Sequence, residues 1–346
     1  MVGKRLNVDV VIIGAGFAGA ATAYHLSRRS QASILMLERE KAPGLHSSGR
    51  NASLVLQTGS DALVRELTAL SRDEYASRAE ELGFTSSGSI QTGSRQALAD
   101  VRGQNRIETS WMSPQEVRRA VPQARGYEFE QALFTPGDGV MDIQRLMDFY
   151  LEGARMQGVG LRTSSGVEDI SGRGPFLIRA GGTSIEAARL VNAAGAWAER
   201  VARMAGLDSP PLVPKKRHLF HLPAPGVSPR QPFLWDLDKD FYFRPQGDGL
   251  LFSLCDEEAD DSLDTTPSPD IEARLKNFLK ANLPALCQSP ATSVRACFRT
   301  HAQMSGPLLG FHRQCADFFW VAGLGGFGMG ASWEIGRRAA EAFLSR

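Results

Sequence analysis

The apolar positions of this chain fall into short β-branched runs separated by stretches of helical period. Residues 8–13 are apolar and β-branched, the pattern of a parallel strand buried on both faces. Small residues such as Ala20 and Ala23 follow and predict a helix over 15–29 that packs closely on the sheet. Residues 33–38 read as the next strand and complete a β-α-β unit. Leu63, Leu67 and Leu70 recur at helical spacing and predict a long helix over 61–82, capped by Ser60 or Asp61. Residues 85–140 read as short strands and turns. Ile143, Leu146, Met147, Tyr150 and Ala154 form the apolar stripe of a helix over 142–157, with Asp142 as N-cap.

Strand-like pieces follow at 160–163, 176–179 and 188–192, and the last runs into a helix opened by residues 193–197. Residues 217–255 alternate apolar and polar, with turns at 223–226 and 245–249, as in an antiparallel sheet. Residues 256–269 are acidic and turn-rich and read as an exposed loop. Ile271, Leu275, Phe278, Leu279 and Leu283 predict a helix that stops at Pro284. The chain closes with a strand at 318–322, a glycine turn and a helix over 331–344. No internal repeat or low-complexity tract interrupts this order. The expected class is α/β: a nucleotide-binding domain over 1–82, 141–213 and 300–346, interleaved with an antiparallel-sheet domain over 83–140 and 214–299.

A length of 346 residues agrees with two domains. A net charge of +1 provides no global field to draw the protein to nucleic acid or an anionic membrane. No apolar run approaches the roughly 20 residues that span a bilayer. Lys4-Arg5 before an apolar stretch has the look of a signal peptide, but Asp9 interrupts it and a glycine motif overlaps it, so a first strand is the reading. Cys255, Cys287, Cys297 and Cys315 form no CxxC pair, which argues against zinc or a redox dithiol. Their scarcity fits a reducing, cytoplasmic setting. His218, His221, His301 and His312 show no metal-ligand spacing, so no metal is expected.

Two glycine turns carry the chemistry. Gly14, Gly16 and Gly19 fit the dinucleotide fingerprint: one glycine for the tight turn, one for close approach of a pyrophosphate, one for helix–strand packing. Phosphates sit at the helix N-terminus, beside Phe17 and Ala18, where free N–H groups and the dipole favour anions. Glu38, nineteen residues beyond Gly19, is placed to accept hydrogen bonds from ribose hydroxyls. Near the other end, residues 323–330 hold five glycines in eight positions. Backbone without Cβ can lie flat against a ring system. A nicotinamide cofactor needs one such turn, whereas a flavin dinucleotide is long enough to be gripped at both ends.

In this light the chain resembles the D-amino-acid oxidase/glycine oxidase superfamily of FAD-dependent amine oxidoreductases, and within it the bacterial D-amino-acid (D-arginine-type) dehydrogenases. The matching stretches are the fingerprint ending in Glu38-Arg39-Glu40, then residues 44–51 (GLHSSGRN), 190–197 (LVNAAGAW) and 319–328 (FWVAGLGGFG), with further similarity at 214–217 and 240–245. The resemblance implies a Rossmann-like FAD domain of the glutathione-reductase/p-hydroxybenzoate-hydroxylase type, with the flavin where it meets the substrate domain. By the same resemblance Arg39, Ser47, Ser48, Arg50, Asn51, Ala194, Gly195, Trp197, Gly325, Gly326, Phe327, Gly328 and Met329 join the fingerprint as FAD contacts, and Val167 meets the adenine through its backbone.

Arg299 matches the family's carboxylate-binding arginine, although Cys297, Phe298 and Thr300 replace the usual Gly, Leu and Pro around it. A guanidinium is the natural bidentate partner of a carboxylate. Arg217 matches a second arginine of the cavity, and Tyr242 a tyrosine at the substrate carboxylate. His46 stands where it would orient substrate or tune the flavin. The expected reaction is oxidation of a carboxylate-bearing amine (a D-amino acid, glycine or an N-alkyl amino acid) by hydride transfer to flavin N5, giving an imine and then a 2-oxo acid. Two alternatives stay open: a 2-hydroxy-acid dehydrogenase with His46 as base, and a non-catalytic flavin electron carrier. Where some family oxidases carry an oxygen-activating lysine, this chain has Leu250 or Leu251, which favours an acceptor such as a quinone or dye over O2. Contact with a membrane is expected only through that acceptor.

Overall fold

The computed structural model describes residues 5–58, 61–102, 107–288, 290–303 and 306–346. Lys4 and Ser60, named above, lie outside the described residues.

The strand Leu6–Ile13 is the centre of an eight-stranded sheet. It pairs in parallel with Ile34–Leu37 on one side and with Thr183–Asn192 on the other. Cys315–Ala322 then joins the C-terminal part of Thr183–Asn192 in parallel, while Phe176–Ala180 pairs antiparallel with its N-terminal part. Helices cover this sheet, which explains why its central strands read as unbroken apolar runs. Val10 and Ile12 face a core shared with Ala20, Tyr24, Tyr150 and Ile335. Val11 and Ile13 face the other, with Leu190, Val201 and Phe318. Helices Phe17–Ser27 and Ser332–Leu344 lie in close contact, because a Cβ on Gly336 would come within 2.6 Å of the Ala21 backbone.

A ten-stranded, mostly antiparallel sheet is the second layer, with Leu212–Pro223 near its middle, between Ser293–Ala302 and Gly249–Ser253. Period-two alternation gives it two unlike faces. Phe220, Phe241, Phe243 and Phe252 pack beneath Ile271 and Leu275 of the helix Ile271–Asn282. Leu219, Tyr242 and Leu251 look the opposite way, against Ala52 from the loop that leaves the first sheet.

Several elements differ from the sequence reading. The helix expected over 61–82 is two, Ala62–Ser77 and Ala79–Leu82, because Arg78 (φ −128°, ψ 32°) leaves helical geometry. Asp61 does cap the first, accepting from Val64 N–H. Residues 85–140 contain the helices Arg95–Arg102 and Pro114–Ala120 as well as strands. The second begins with a capping box, Ser113 and Glu116, with Pro114 at its first position. The acidic segment after residue 255 is not wholly exposed: Asp256 is buried against His218, and Glu258–Ala259 pairs with Leu212–Pro223. Strands Val167–Ser171, Ser293–Ala302 and Leu308–His312 were not anticipated. Among the described residues no helix is long and apolar enough to cross a membrane, and no group of three or more metal-ligating side chains exists.

Candidate cofactor and substrate site

The first glycine turn is sterically exclusive. Gly14 sits at φ +100°, where a Cβ would lie 2.5 Å from the Ala193 carbonyl oxygen. A Cβ on Gly16 would lie 2.7 Å from Ser48 Oγ, and one on Gly19 would run into the Gly14 carbonyl. Gly16 starts the helix Phe17–Ser27 with no capping side chain of its own and no acidic residue in the first turn. Phe17 N–H donates to Ser48 Oγ at 3.1 Å. The positive end of the helix is thus left without an anion of its own. Glu38 is fixed beside the turn, accepting from Ala15 N–H (3.0 Å) and Glu40 N–H (2.9 Å). Each oxygen keeps capacity for another donor.

Beside this turn opens a cleft of about 380 Å3. Glu38, Arg39, Gly166 and Val167 are in its wall. Ser47, Ser48, Asn51, Ala194 and Gly195 line it too, as do Phe298, Arg299, Gly325, Gly326, Gly328 and Met329. Asn51 stiffens the 46–51 loop: its amide donates to Ser48 O at 2.6 Å, and its side-chain oxygen accepts from Ser53 N–H. Ser47 Oγ donates to Phe298 O at 2.8 Å and ties that loop to the second sheet. Arg39 lies over the Trp197 ring at 4.1 Å, and the His46 ring is 4.7 Å from the same indole. His46 Nε2 meets Glu40 Oε1 at 2.8 Å, while its buried Nδ1 has no hydrogen-bond partner among the described residues. That hydrogen bond, with one from Arg39, holds the Glu40 carboxyl below its usual pKa.

The second glycine turn is built against an arginine strand. Gly323 and Gly325 have φ of +72° and +56°, and Gly325 pairs with Thr300. A Cβ on Gly326 would stand 3.4 Å from Arg299 Cδ, so the turn lies along the arginine side chain. Tyr75, wholly buried, donates to Met329 O and accepts from Trp333 N–H, which pins the turn from the far side. Arg299 itself is 4 % exposed, and its Nη1 lies 2.9 Å from Cys297 Sγ. Burial works against its charge, but Cys297 and Tyr242 beside it outweigh burial and raise its pKa. Burial raises the pKa of Tyr242 in turn, against the pull of Arg299 and Arg217, so its phenol stays protonated.

Arg217 is differently engaged. Its Nη2 meets Glu257 Oε1 at 2.5 Å and donates to Cys255 O, while Nε donates to Asp256 O. Glu257 also meets Lys215 Nζ at 2.9 Å and lies 3.7 Å from His301. Nearby His301, with Lys215 and Arg217, holds its carboxyl down at about 2. Next door, Ser268 N–H donates to His218 Nε2, which leaves Nδ1 to carry the proton directed at Asp256 (2.5 Å).

Of the residues singled out in the sequence, Gly14, Gly16, Phe17, Ala18, Glu38, Arg39, His46, Trp197 and Arg299 meet along the cleft, with the loop and turn residues given above. Gly19, Arg50, Phe327, Tyr242 and Arg217 do not form its wall. Gly19 acts inside the helix–strand contact, Tyr242 lies behind Arg299, and Arg217 is turned to Glu257. Sequence reasoning left Glu257 in an exposed acidic loop and did not single out Arg244 or Arg295. For Arg295 the signal was alternation: Arg295, Cys297 and Arg299 occupy one face of one strand.

A family model described as FAD dependent oxidoreductase (DAO) matches residues 9–342. Mitochondrial dimethylglycine dehydrogenase of Rattus norvegicus is 28% identical over 262 residues, covering 71% of this chain and 30% of that protein. The formaldehyde-forming 4-methylaminobutanoate oxidase of Paenarthrobacter nicotinovorans is 25% identical over 259 residues, covering 71% and 31%. The chain thus spans less than a third of these curated relatives. The solved structure of glycine oxidase from Geobacillus kaustophilus superposes with a TM-score of 0.84 at 22% identity, over 99% of this chain and 96% of that one, and so shares the fold.

Proposed function

Since the chain belongs to the FAD dependent oxidoreductase family, with FAD as its cofactor, we propose that it oxidises a small carboxylate-bearing amine, with N-alkyl amino acids first among the candidates. The cleft fits that cofactor. Gly14 and Gly16 leave room that a Cβ would fill, the helix behind them offers an uncapped positive end, and the orphaned His46 Nδ1 looks for a partner. Gly14, Gly16 and Ser48 would hold the pyrophosphate, Glu38 a ribose, Val167 the adenine, and residues 325–329 the ring system. Bound FAD supplies the acceptor for a hydride from the substrate carbon.

The chain's own residues do the positioning. Arg299, buried and charged, grips the substrate carboxylate, and the protonated Tyr242 supports it from behind. Holding the substrate in this way, with its Cα hydrogen toward the cleft, is most of the catalytic task. The amine lone pair drives the oxidation, so no protein nucleophile is required, and the resulting imine is hydrolysed by water. The observation that carries this reading is the buried Arg299 lying along Gly326 at the cleft wall. The relatives named above support an N-alkyl substrate, since by their names both act on N-methylated amines. The 2-hydroxy-acid alternative needs His46 as base, and with Nε2 at Glu40 that role would fall to Nδ1. Leu251 shares the Tyr242 face with no lysine beside it in the strand Gly249–Ser253, which favours an acceptor other than O2. We assign the domains as in the sequence reading, 1–82, 141–213 and 300–346 to FAD and 83–140 and 214–299 to substrate.

The test is anaerobic bleaching of the purified protein's visible absorbance by a panel of N-methyl amino acids, D-amino acids and 2-hydroxy acids. Bleaching by amines supports the reading. Bleaching by hydroxy acids alone, or by none of the panel, overturns it.

A further inference from the structure

Arg299 stands in the cleft wall as a cation that no carboxylate holds. Among the described residues its guanidinium forms no ion pair, and Nη1 donates instead to Cys297 Sγ at 2.9 Å. Cys297 and Arg299 share one face by alternation along Ser293–Ala302, about 7 Å apart along the strand. Nη1 can meet that sulfur only if the arginine side chain folds back along its own strand instead of standing straight out. Gly326 lies along Cδ and Nε of the same side chain, where a Cβ would come within 3.4 and 3.5 Å. The stem is thus confined by the second glycine turn, and the head by the thiol.

Cys297 is itself aimed. It is buried, and its sulfur has two carbonyls in reach, Arg50 O at 3.0 Å and Arg217 O at 3.8 Å. The nearer one takes the S–H, which leaves the sulfur lone pairs to Arg299. Arg50 O belongs to the 46–51 loop, which lines the cleft through Ser47, Ser48 and Asn51. Arg50 N–H donates to His46 O at 3.0 Å, and Ser47 Oγ donates to Phe298 O, so two successive strand residues fasten the loop. Ser48 in turn accepts from Phe17 N–H at the helix start. A carboxylate at position 297 would hold Arg299 as firmly, but it would occupy the fork that a substrate carboxylate needs. A thiol that directs its proton to Arg50 O holds the cation without cancelling its charge.

We propose that Cys297 is a positioning residue of the substrate site: its thiol takes its direction from the Arg50 carbonyl of the cleft loop and holds the Arg299 guanidinium folded along the strand, ready for a substrate carboxylate. This rests on the amine-oxidising reading above. Glycine, usual at this position in the family the sequence resembles, has no side chain for the task, so the device belongs to this chain.

The experiment uses the flavin-loaded protein with butyrate and butyramide as non-oxidised probes, their Kd read by calorimetry. Wild type is expected to prefer butyrate. Cys297→Ala is expected to weaken butyrate about tenfold while leaving butyramide almost unchanged. It should lower kcat/KM for N-methylalanine by a similar factor, mostly through KM. Cys297→Ser, whose hydroxyl both donates and accepts, is expected to restore most of the loss. In the infrared difference spectrum of wild type, butyrate should shift an S–H stretching band that Cys297→Ser lacks. An unchanged S–H region overturns the proposal even if the variants do not fold, and so does equal affinity of wild type for the two probes. Butyrate affinity that Cys297→Ala leaves intact overturns it, as does a loss that Cys297→Ser fails to recover, which marks packing alone. Cys297-dependent butyrate binding with no amine oxidised keeps the positioning role and fails the amine reading. Amines oxidised with a KM indifferent to Cys297→Ala do the reverse.

Discussion

In the proposed reading the first glycine turn and the arginine face do comparable work, gripping negative groups, by opposite means. At Gly14–Gly19 the grip is backbone: free N–H groups at a helix start, brought close by the absence of Cβ. At Arg299 it is side chain: a long cation on the inward face of one strand, aligned by pairing with Leu212–Pro223. The first device occupies six consecutive residues, and a Cβ at any of its three glycines would meet a neighbour closer than 3.0 Å. The second is assembled from strands more than 50 residues apart, as Tyr242 and Arg299 are, and allows its charges to be exchanged one at a time.

That contrast can be broken deliberately. The largest effect is expected from Gly14→Ala, which combines a positive φ with a clash against Ala193 O and costs about 3–5 kcal/mol of cofactor binding. The purified variant should be nearly colourless, and normal visible absorbance would refute the backbone account. Arg299→Lys should retain the cofactor and lose about 2–3 kcal/mol in kcat/KM, roughly a hundredfold, because a point charge replaces a bidentate fork. A loss of colour instead would mean that the two ends are not separable.

Glu257→Gln comes next, at about 1 kcal/mol of stability near neutral pH after allowing for screening. The sign is fixed by the depressed carboxyl. Its stabilisation is present above the ordinary value of 4.5 and is lost as pH falls toward about 2, so the gap between wild type and variant should close across that window in thermal melts. A gap independent of pH would exclude the ion-pair origin. Ser48→Ala is the mildest: Phe17 N–H loses its acceptor, and cofactor affinity should fall by about 0.5–1 kcal/mol, read by flavin titration.

The same contrast decides what was legible in the sequence. The fingerprint, the Asp142 cap and the closing glycine turn are contiguous, and local sterics dictate their geometry. Strand Ser293–Ala302 was not visible, because its inner face carries Arg295 and Arg299 and imitates a solvent-facing edge. Only its ten-residue register with Leu212–Pro223 turns those cations inward. The acidic run at 256–258 misled for the same reason, since its partners His218, Arg217 and Arg274 come from remote positions. The break at Arg78 has no local breaker residue: helix-compatible side chains continue to Leu82, and Gly83 (φ +74°) marks only the second stop.

Gly336 seats the last helix on Ala21, 315 positions earlier in the chain. On a ribosome the opening β-α-β unit therefore emerges with one flank bare, and 315 residues separate Ala21 from its cover. The cleft, which also needs residues 323–326, 328 and 329, is completed only late in that interval.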